Sequence, residues 1–182
     1  MIEVRFHGRG GQGAVTAARL LANAFVVQGK FASSFPMFGF ERRGAPVTAF
    51  LRFDENPIKI KTQIYNPDCL VVLDPAQKNS PLIYEGLNPK GILVLNSDRY
   101  IKKRPDNNIS LVGLVDADAI ALEEIGNPSP NTAILGAFAA TTRWIELEPI
   151  IFSLEQYFNG DLLERNIRCT ERGFQEMRCI RW

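Results

Sequence analysis

The chain has 182 residues, of which 46% are apolar and 23% are charged, the composition of one ordinary globular domain. Lys and Arg total 21 and Asp and Glu total 20, so the formal net charge of +1 provides no global positive field to hold nucleic acid or an anionic membrane. Three scattered cysteines without C-x-x-C spacing, and a single histidine, argue against a disulfide framework, an iron–sulfur cluster and a multi-histidine metal site.

The N-terminus predicts no targeting segment. Residues 1–6 alternate apolar with charged side chains, whereas a secretory signal needs a basic start and an unbroken apolar stretch. No window holds the roughly 18 consecutive apolar residues of a membrane span. We therefore expect a cytoplasmic protein that binds neither membrane nor nucleic acid.

The first half of the chain predicts short strands around one helix. Ile2–Phe6 alternates with the period of a strand, and the Ala-rich stretch Ala14–Gln28 favours helix. This helix is apolar nearly all round, with Arg19 as its one formal charge, so its far side needs a second cover, such as another subunit. Further strands are predicted at 31–35, 47–53 and 58–60.

The second half repeats a pattern of strand and then helix. Apolar runs at 69–73, 92–95 and 111–115, each followed by Asp or Asn, are typical of central parallel strands. Helices are predicted at 75–84, 117–125, 132–144, 154–158 (with Ser153 opening a capping box) and 162–178. We therefore predict a single α/β domain over residues 1–182, with a mostly parallel sheet flanked by helices in a Rossmann-like arrangement.

The sharpest motif is the loop between the first strand and the first helix, His7-Gly8-Arg9-Gly10-Gly11-Gln12-Gly13. It fits the G-x-G-x-x-G spacing of dinucleotide-binding folds, in which glycines allow close backbone approach and the helix start attracts an anion. The acid expected about 20 residues later to hold a ribose is missing, since the first acid after the loop is Glu41. An equally supported interpretation is that the glycines only shape a tight turn.

The polar side chains of this loop have two interpretations. Arg9 could pair with a phosphate and Gln12 could hydrogen-bond a ligand or a neighbouring chain, or both could lie on a solvated loop tip. His7 has no second histidine and no acid near it in the sequence, so a hydrogen-bonding role at the strand end is favoured over catalysis.

The loop from Phe35 to Gly44 is unusual because aromatic side chains crowd among turn residues and charges. Exposed aromatic clusters mark interfaces, so we predict a partner surface formed by Phe35, Met37, Phe38, Phe40, Glu41 and Gly44. Arg42 and Arg43 could grip a carboxylate or a phosphate, or could form a solvated run of charge. No Walker A lysine, G-x-S-x-G or H-E-x-x-H motif occurs, so no set of residues predicts a reaction run by this chain alone.

The loop Gly8 to Gly13 resembles the G-x-G-G-Q-G signature of the gamma subunits of 2-oxoacid:ferredoxin oxidoreductases. The stretch from Glu41 to Val47 is similar to the E-x-R-G-G-x-V stretch of that family, with Ala45 where a second glycine is usual. Asn66-Pro67-Asp68 and Asn131 with Leu135-Gly136-Ala137 also match, so the similarity spans nearly the whole chain.

The resemblance implies a complex that oxidatively decarboxylates a 2-oxoacid, most commonly pyruvate, to an acyl-CoA and passes electrons to ferredoxin. It implies alpha, beta and delta partner subunits that hold thiamine diphosphate, magnesium and 4Fe-4S clusters, with no catalytic residue and no metal on this chain. The chain would assemble the complex and help to dock coenzyme A, a shared ligand, through Gly8, Arg9, Gly10, Gly11, Gln12, Gly13, Arg42 and Arg43. The alternatives are a free-standing nucleotide-binding Rossmann-like protein and a scaffold whose glycine loop binds only protein.

Overall fold

The computed structural model describes residues 1–37 and 44–182. Within them the chain forms one seven-stranded sheet and five α-helices. The strands are β1 (Ile2–Arg9), β2 (Phe31–Pro36), β3 (Pro46–Asp54), β4 (Cys69–Val72), β5 (Gly91–Asn96), β6 (Ile109–Val115) and β7 (Arg178–Arg181). The helices are α1 (Ala14–Val27), α2 (Ala117–Ile125), α3 (Ala133–Thr142), α4 (Leu147–Glu155) and α5 (Gly160–Glu176).

The strand order is β2-β3-β1-β4-β5-β6-β7. The four strands β1, β4, β5 and β6 pair in parallel, while β3 and β7 run antiparallel to their neighbours. Because β2 is antiparallel to β3, it shares the direction of the central four. Five strands therefore run in one direction, which confirms the predicted α/β class with a mostly parallel sheet.

The α-helices form two layers on one face of the sheet. Helices α1 and α3 contact the strands directly, and α2, α4 and α5 lie over them. All residues of α3 are buried. The far side of the apolar helix α1 is covered by α4 of the same chain. The buried Ser153 hydroxyl on α4 donates to Leu20 O on α1 at 2.8 Å. No helix in these described ranges has both the length and the apolarity needed to cross a membrane.

Over the part of the chain that the structure describes, the opposite face of the sheet is covered without an α-helix. The predicted helix at 75–84 is wrong, because this segment forms two 3₁₀ turns, Pro75–Asn79 and Pro81–Tyr84. Ser80 between them is extended, with φ −81° and ψ 120°. A residue before proline is disfavoured in the helical region, and Pro81 has no N–H to continue the ladder, so a continuous helix is broken here.

Three other predicted elements differ from the structure. The helix at 154–158 is wrong: α4 runs from Leu147 to Glu155, so Ser153 is not a cap. Residues 58–60 form no strand. The last helix ends at Glu176, and Cys179 lies on the edge strand β7, which the sequence analysis missed. A four-residue edge strand has too few alternating positions to produce a periodic signal.

Candidate functional site

The glycine loop lies at the carboxyl edge of the parallel strands. β1 ends at Arg9, and the next four residues turn the chain into α1 at Ala14. Asp74 follows β4 and Asn96 ends β5 at the same edge. Ligands of open α/β sheets bind outside the carboxyl ends of the strands, so the loop occupies the expected position for a site.

Hydrogen bonds from three backbone amides, one of them accepted by a side chain, hold the shape of the loop. The Arg9 amide donates to Gln12 Oε1 at 2.7 Å, and the Gln12 amide donates to Arg9 O at 3.0 Å. The Gly10 amide donates to Ala45 O at 2.9 Å. Because these three amides are already engaged, an anion at this loop would meet the start of α1 instead, where the first N–H groups of a helix point outward.

Two glycines of the loop are required for different reasons. Gly11 and Gly13 have positive φ angles of 101° and 77°, which side chains with a Cβ rarely adopt. A Cβ on Gly13 would also lie 2.7 Å from Asn131 Nδ2, whereas a Cβ on Gly11 would point into open space. Gly13 therefore allows close packing, and Gly11 leaves the outer side of the loop open to a ligand.

Asn131 is a neighbour of the loop that the sequence analysis did not assign to the site. Its buried side chain lies against Gly13, and Ser129 Oγ donates to its Oδ1 at 3.2 Å. The following helix α3 begins two residues later, at Ala133, with Thr132 at its N-cap position. Its position in the family resemblance is the signal that could have identified it.

An ion pair sets the charge of the loop. Arg9 Nε donates to Asp74 Oδ2 at 2.6 Å, with Arg9 half-exposed and Asp74 buried. Gln77 Nε2 donates to Gly8 O at 2.7 Å and ties the following 3₁₀ turn to the same strand end. Asp74 thus partly neutralises the positive charge of Arg9, for which the sequence left a phosphate contact and a solvated loop tip as alternatives. This bond uses only one of the guanidinium nitrogens.

The adjacent strand ends carry acidic and amide side chains. Asn96 Nδ2 donates to Asp118 Oδ2 at 2.9 Å. Burial raises the pKa of Asp118 despite this hydrogen bond, and the nearby Asp116 and Asp74 add to the rise. This acidic character disfavours an anion over β5 and β6. No group of three or more His, Cys, Asp or Glu side chains within residues 1–37 and 44–182 is arranged to hold a metal ion.

His7 is buried below the loop and acts as a hydrogen-bond acceptor. Its Nε2 accepts from Arg5 Nε at 3.0 Å. Burial, and then the positive charge of Arg5, lower the pKa of His7 to about 3. The imidazole is therefore neutral near pH 7, which agrees with the predicted hydrogen-bonding role.

The segment predicted as a partner surface adjoins the glycine loop. Gly44 N lies 3.4 Å from Gly10 O, in a hydrogen bond beside the Gly10–Ala45 bond. Phe35 is half-buried against Phe50, with ring centroids 5.2 Å apart, and Met37 is exposed. The other predicted members of this surface, and both arginines, lie outside the described residues: Phe38, Phe40, Glu41, Arg42 and Arg43.

Known proteins are similar to this chain over nearly their whole length. The pyruvate ferredoxin/flavodoxin oxidoreductase family matches residues 3–176. The common gamma subunit of the pyruvate/ketoisovalerate oxidoreductases of Pyrococcus abyssi is 48% identical, over 97% of both chains. The gamma subunit of an NADH-dependent phenylglyoxylate dehydrogenase from Aromatoleum evansii is 47% identical, over 97% of this chain and 94% of its own. The crystal structure of the pyruvate oxidoreductase subunit PORC from Thermotoga maritima superposes with a TM-score of 0.86 and 38% identity, covering 98% of this chain and 97% of that one.

Proposed function

This chain belongs to the pyruvate ferredoxin/flavodoxin oxidoreductase family, and we propose that it acts as one subunit of an enzyme complex. It is the gamma subunit of a 2-oxoacid:ferredoxin oxidoreductase, which oxidatively decarboxylates its substrate to an acyl-CoA and passes the electrons to ferredoxin. The observation that carries this proposal is the 48% identity to a gamma subunit over 97% of both chains, since the match covers an entire subunit and not a shared module.

Pyruvate is the 2-oxoacid that we propose. It is named for both the Pyrococcus abyssi and the Thermotoga maritima relatives. The phenylglyoxylate relative is 47% identical, nearly as similar as the pyruvate/ketoisovalerate one at 48%. Similarity in this subunit therefore follows the subunit type more than the acid, and a substrate panel on the complex is needed to identify the acid.

The electron-transfer and decarboxylation cofactors belong to the partner subunits in this proposal. A 4Fe-4S cluster is held by four cysteines, and this chain has three. Cys69 and Cys169 are buried in the core, while Cys179 is exposed on β7. We assign thiamine diphosphate, magnesium and the clusters to alpha, beta and delta partners, and ferredoxin binding to the complex. A cytoplasmic location stays a prediction.

The contribution of this chain is assembly and the docking of coenzyme A at the glycine loop. Coenzyme A carries phosphates, and the start of α1 presents N–H groups and the positive end of a helix dipole beside Gly11. The first turn of α1, residues 14–17, contains no acid to oppose an anion. Arg9 would add a charge-assisted contact, and Arg42 and Arg43 are the further cations proposed for this ligand.

The strand order argues against a free-standing dinucleotide-binding protein. In that fold, the strand that supplies the ribose-binding acid runs parallel beside the first strand. Here the neighbour of β1 on that side is the antiparallel β3, and β2 lies beyond it at the edge. The ribose position of such a site is therefore not formed next to the loop.

Purification of the tagged chain from its native source or a co-expression system tests the subunit proposal. We expect partner chains to co-purify with thiamine diphosphate, iron and 2-oxoacid-dependent electron transfer, with the highest rate on pyruvate. A chain that purifies alone from cells containing the candidate partners, without this activity, contradicts the proposal.

A pair of glycine variants tests the docking of coenzyme A. Gly11 and Gly126 both have positive φ, 101° and 81°, with open space where a Cβ would lie, so alanine strains the backbone similarly at each. We expect Gly11→Ala to raise the KM for coenzyme A about tenfold with assembly intact, the loss of one charged hydrogen bond, and Gly126→Ala to leave it unchanged. Equal KM values in the two variants would rule out the loop as the docking site.

A further inference from the structure

A cleft of about 480 Å³ lies away from the glycine loop. It opens between the two 3₁₀ turns that follow β4 and the segment 100–106 that connects β5 to β6. None of the residues that line it belongs to the loop Gly8–Gly13. Its volume lies within the range of about 300 to 1,000 Å³ typical of small-molecule sites.

The walls of this cleft concentrate positive charge in a chain that is otherwise nearly neutral. Lys78, Lys103 and Arg104 line it together with a single acid, Asp106. Arg104 is anchored, because its Nε donates to Ile109 O, so the guanidinium is held beside the cleft. Three cations against one carboxylate favour a ligand with more than one negative charge.

Two tyrosines add aromatic surface to the same cleft. Tyr84 is buried, and its hydroxyl donates to Lys78 O at 2.6 Å, which fixes the ring and the adjoining turn as one wall. Burial raises the pKa of Tyr84 to about 12, so the phenol adds no negative charge near pH 7. Tyr100 is 62% exposed at the rim, where its ring can accept a stacked aromatic group.

We propose that this cleft binds a nucleoside diphosphate or triphosphate, with the base against Tyr100 and the phosphates among Lys78, Lys103 and Arg104. An inorganic anion would leave the aromatic surface and much of the volume unused, and an apolar ligand would leave the cations without partners. The site is distinct from the coenzyme A site assigned to the glycine loop, and binding here does not require that assignment.

Fluorescence titration of the full chain with a methylanthraniloyl derivative of ADP tests the site. We expect saturable binding that unlabelled ADP displaces, and at least about tenfold weaker displacement by inorganic pyrophosphate, which lacks the stacking base. If no binding is detected at concentrations of the labelled ADP up to the millimolar range, the proposal is overturned.

Two adjacent lysines provide a matched pair of variants. Lys103 lines the cleft, while Lys102 is exposed beside it and does not. Both substitutions remove one charge, so any effect of overall charge is the same. We expect Lys103→Gln to weaken binding about tenfold and Lys102→Gln less than about twofold. Equal weakening would mean a non-specific surface effect and would overturn the proposal.

The aromatic contact has its own matched pair. Tyr100→Leu removes the ring at the rim, whereas Tyr65→Leu removes a similarly exposed ring, 70% exposed, outside the cleft. We expect weaker binding of ADP but unchanged binding of pyrophosphate in Tyr100→Leu alone. An unchanged ADP affinity in Tyr100→Leu would overturn the assignment of the base.

Coenzyme A contains an ADP moiety, so the ligand of this cleft could be either a free nucleotide or coenzyme A. Displacement of the probe by coenzyme A in the Gly11→Ala variant would make coenzyme A the source at this cleft, and displacement by ADP alone would make it a free nucleotide. Probe binding lost in Gly11→Ala but kept in Lys103→Gln would place the nucleotide at the glycine loop and overturn the proposal. Neither result changes the outcome of the co-purification test.

Discussion

Both faces of the sheet bury an apolar cluster, but the face opposite the helices also buries arginine and histidine side chains, and β1 contributes to both faces. Val4 and Phe6 point toward the helices and join a large apolar core. Arg5 and His7 alternate with them and point to the other face, where both are buried. Strand β1 thus contributes apolar side chains to the helix face and the buried Arg5 and His7 to the opposite face. The opposite face is called the charged face below.

The helix face is held by close apolar packing. The Phe25 ring stacks on Phe53 with centroids 3.7 Å apart, and it meets Phe138 edge-on at 6.5 Å. Where α3 crosses α5, a Cβ on Gly136 would lie only 1.8 Å from Thr170 O. The backbones touch there, so glycine is the only residue that fits without moving a helix.

The opposite face is held in part by arginine donors that bind carbonyls of irregular segments. Arg52 is 1% exposed, donates to Glu3 Oε1 and Thr62 O at 2.6 Å each, and reaches Gln63 O at 3.2 Å. Arg5 Nη2 binds the carbonyls of Ile83 and Glu85 in the same way. Chain segments that lack regular hydrogen bonding obtain their partners from these guanidinium groups.

The largest effect is expected where the helix face is most tightly packed. Phe25→Ala should lower the free energy of unfolding by about 3 to 5 kcal/mol, because it removes a buried aromatic ring and leaves a cavity. The neighbouring Val26 is 55% exposed, and Val26→Ala should change stability by less than about 0.5 kcal/mol. Urea denaturation measures both. Similar values for the two variants would contradict the packing described for α1.

The charged face should be sensitive to a single arginine. Arg52→Met keeps the apolar stem but leaves Glu3 and two carbonyls without their donor, so we expect a loss of about 3 kcal/mol. Arg99 is the control, since it is largely exposed and its ion pair with Asp98 is long, at 3.8 Å. Arg99→Met should have almost no effect in the same denaturation experiment. If Arg52→Met were as mild, apolar contacts would have to hold this face.

The neutral His7 should make the charged face sensitive to acid. Its pKa is about 3 in the folded chain and 6.5 ordinarily, so between these values the unfolded chain binds a proton that the folded chain does not. Stability should therefore fall as the pH drops below about 6.5, by about 2 to 3 kcal/mol at pH 4.5 from this group.

The variant His7→Gln isolates this contribution. Glutamine does not titrate, and its Oε1 can still accept from Arg5 Nε. We expect the difference in unfolding free energy between the two proteins to shift in favour of the variant as the pH is lowered from 8 to 4.5. A constant difference across this range would mean that His7 titrates with the same pKa in the folded and unfolded chains, and would contradict its burial as a neutral acceptor.

The smallest effect is expected in the outermost helix layer. Arg172 on α5 pairs with Glu123 and Glu124 of α2 at 2.8 and 3.0 Å, and with Glu176. Because Glu123 and Glu176 are exposed, Arg172→Gln should cost no more than about 1 kcal/mol. The difference from the unmodified chain should shrink in 1 M NaCl, where the screening length falls to about 3 Å. A loss that is independent of salt would point to packing instead of charge.

The predictions that succeeded concern elements with long local patterns, and those that failed concern elements decided by a proline or by tertiary pairing. The four parallel strands and α1, α2 and α3 carry long apolar patterns, and their positions were predicted closely. The helix at 75–84 was wrong because the propensity of its residues suggested a helix that Pro81 interrupts. Strand β7 was missed because its four residues acquire their structure from pairing with β6.

The sequence predicted the glycine loop between β1 and α1, but not the distant side chains that surround it. The motif identified the loop 8–13 and the turn-forming role of its glycines, which depend on local backbone geometry. Asp74, Gln77 and Asn131 were not assigned to it, because each reaches the loop from a segment more than 60 residues away. Side-chain contacts across such separations leave no periodic trace in the sequence.

Local patterns in the amino-acid sequence were sufficient for the class of fold, the glycine turn and the family, since periodicity, turn chemistry and motif spacing act over a few residues. The burial of Arg5, His7 and Arg52, the ion pair that restrains Arg9 and the cleft around Tyr84 arise only when distant segments meet. Burial and hydrogen bonding set the charge state and orientation of these groups, and both are properties of the packed chain.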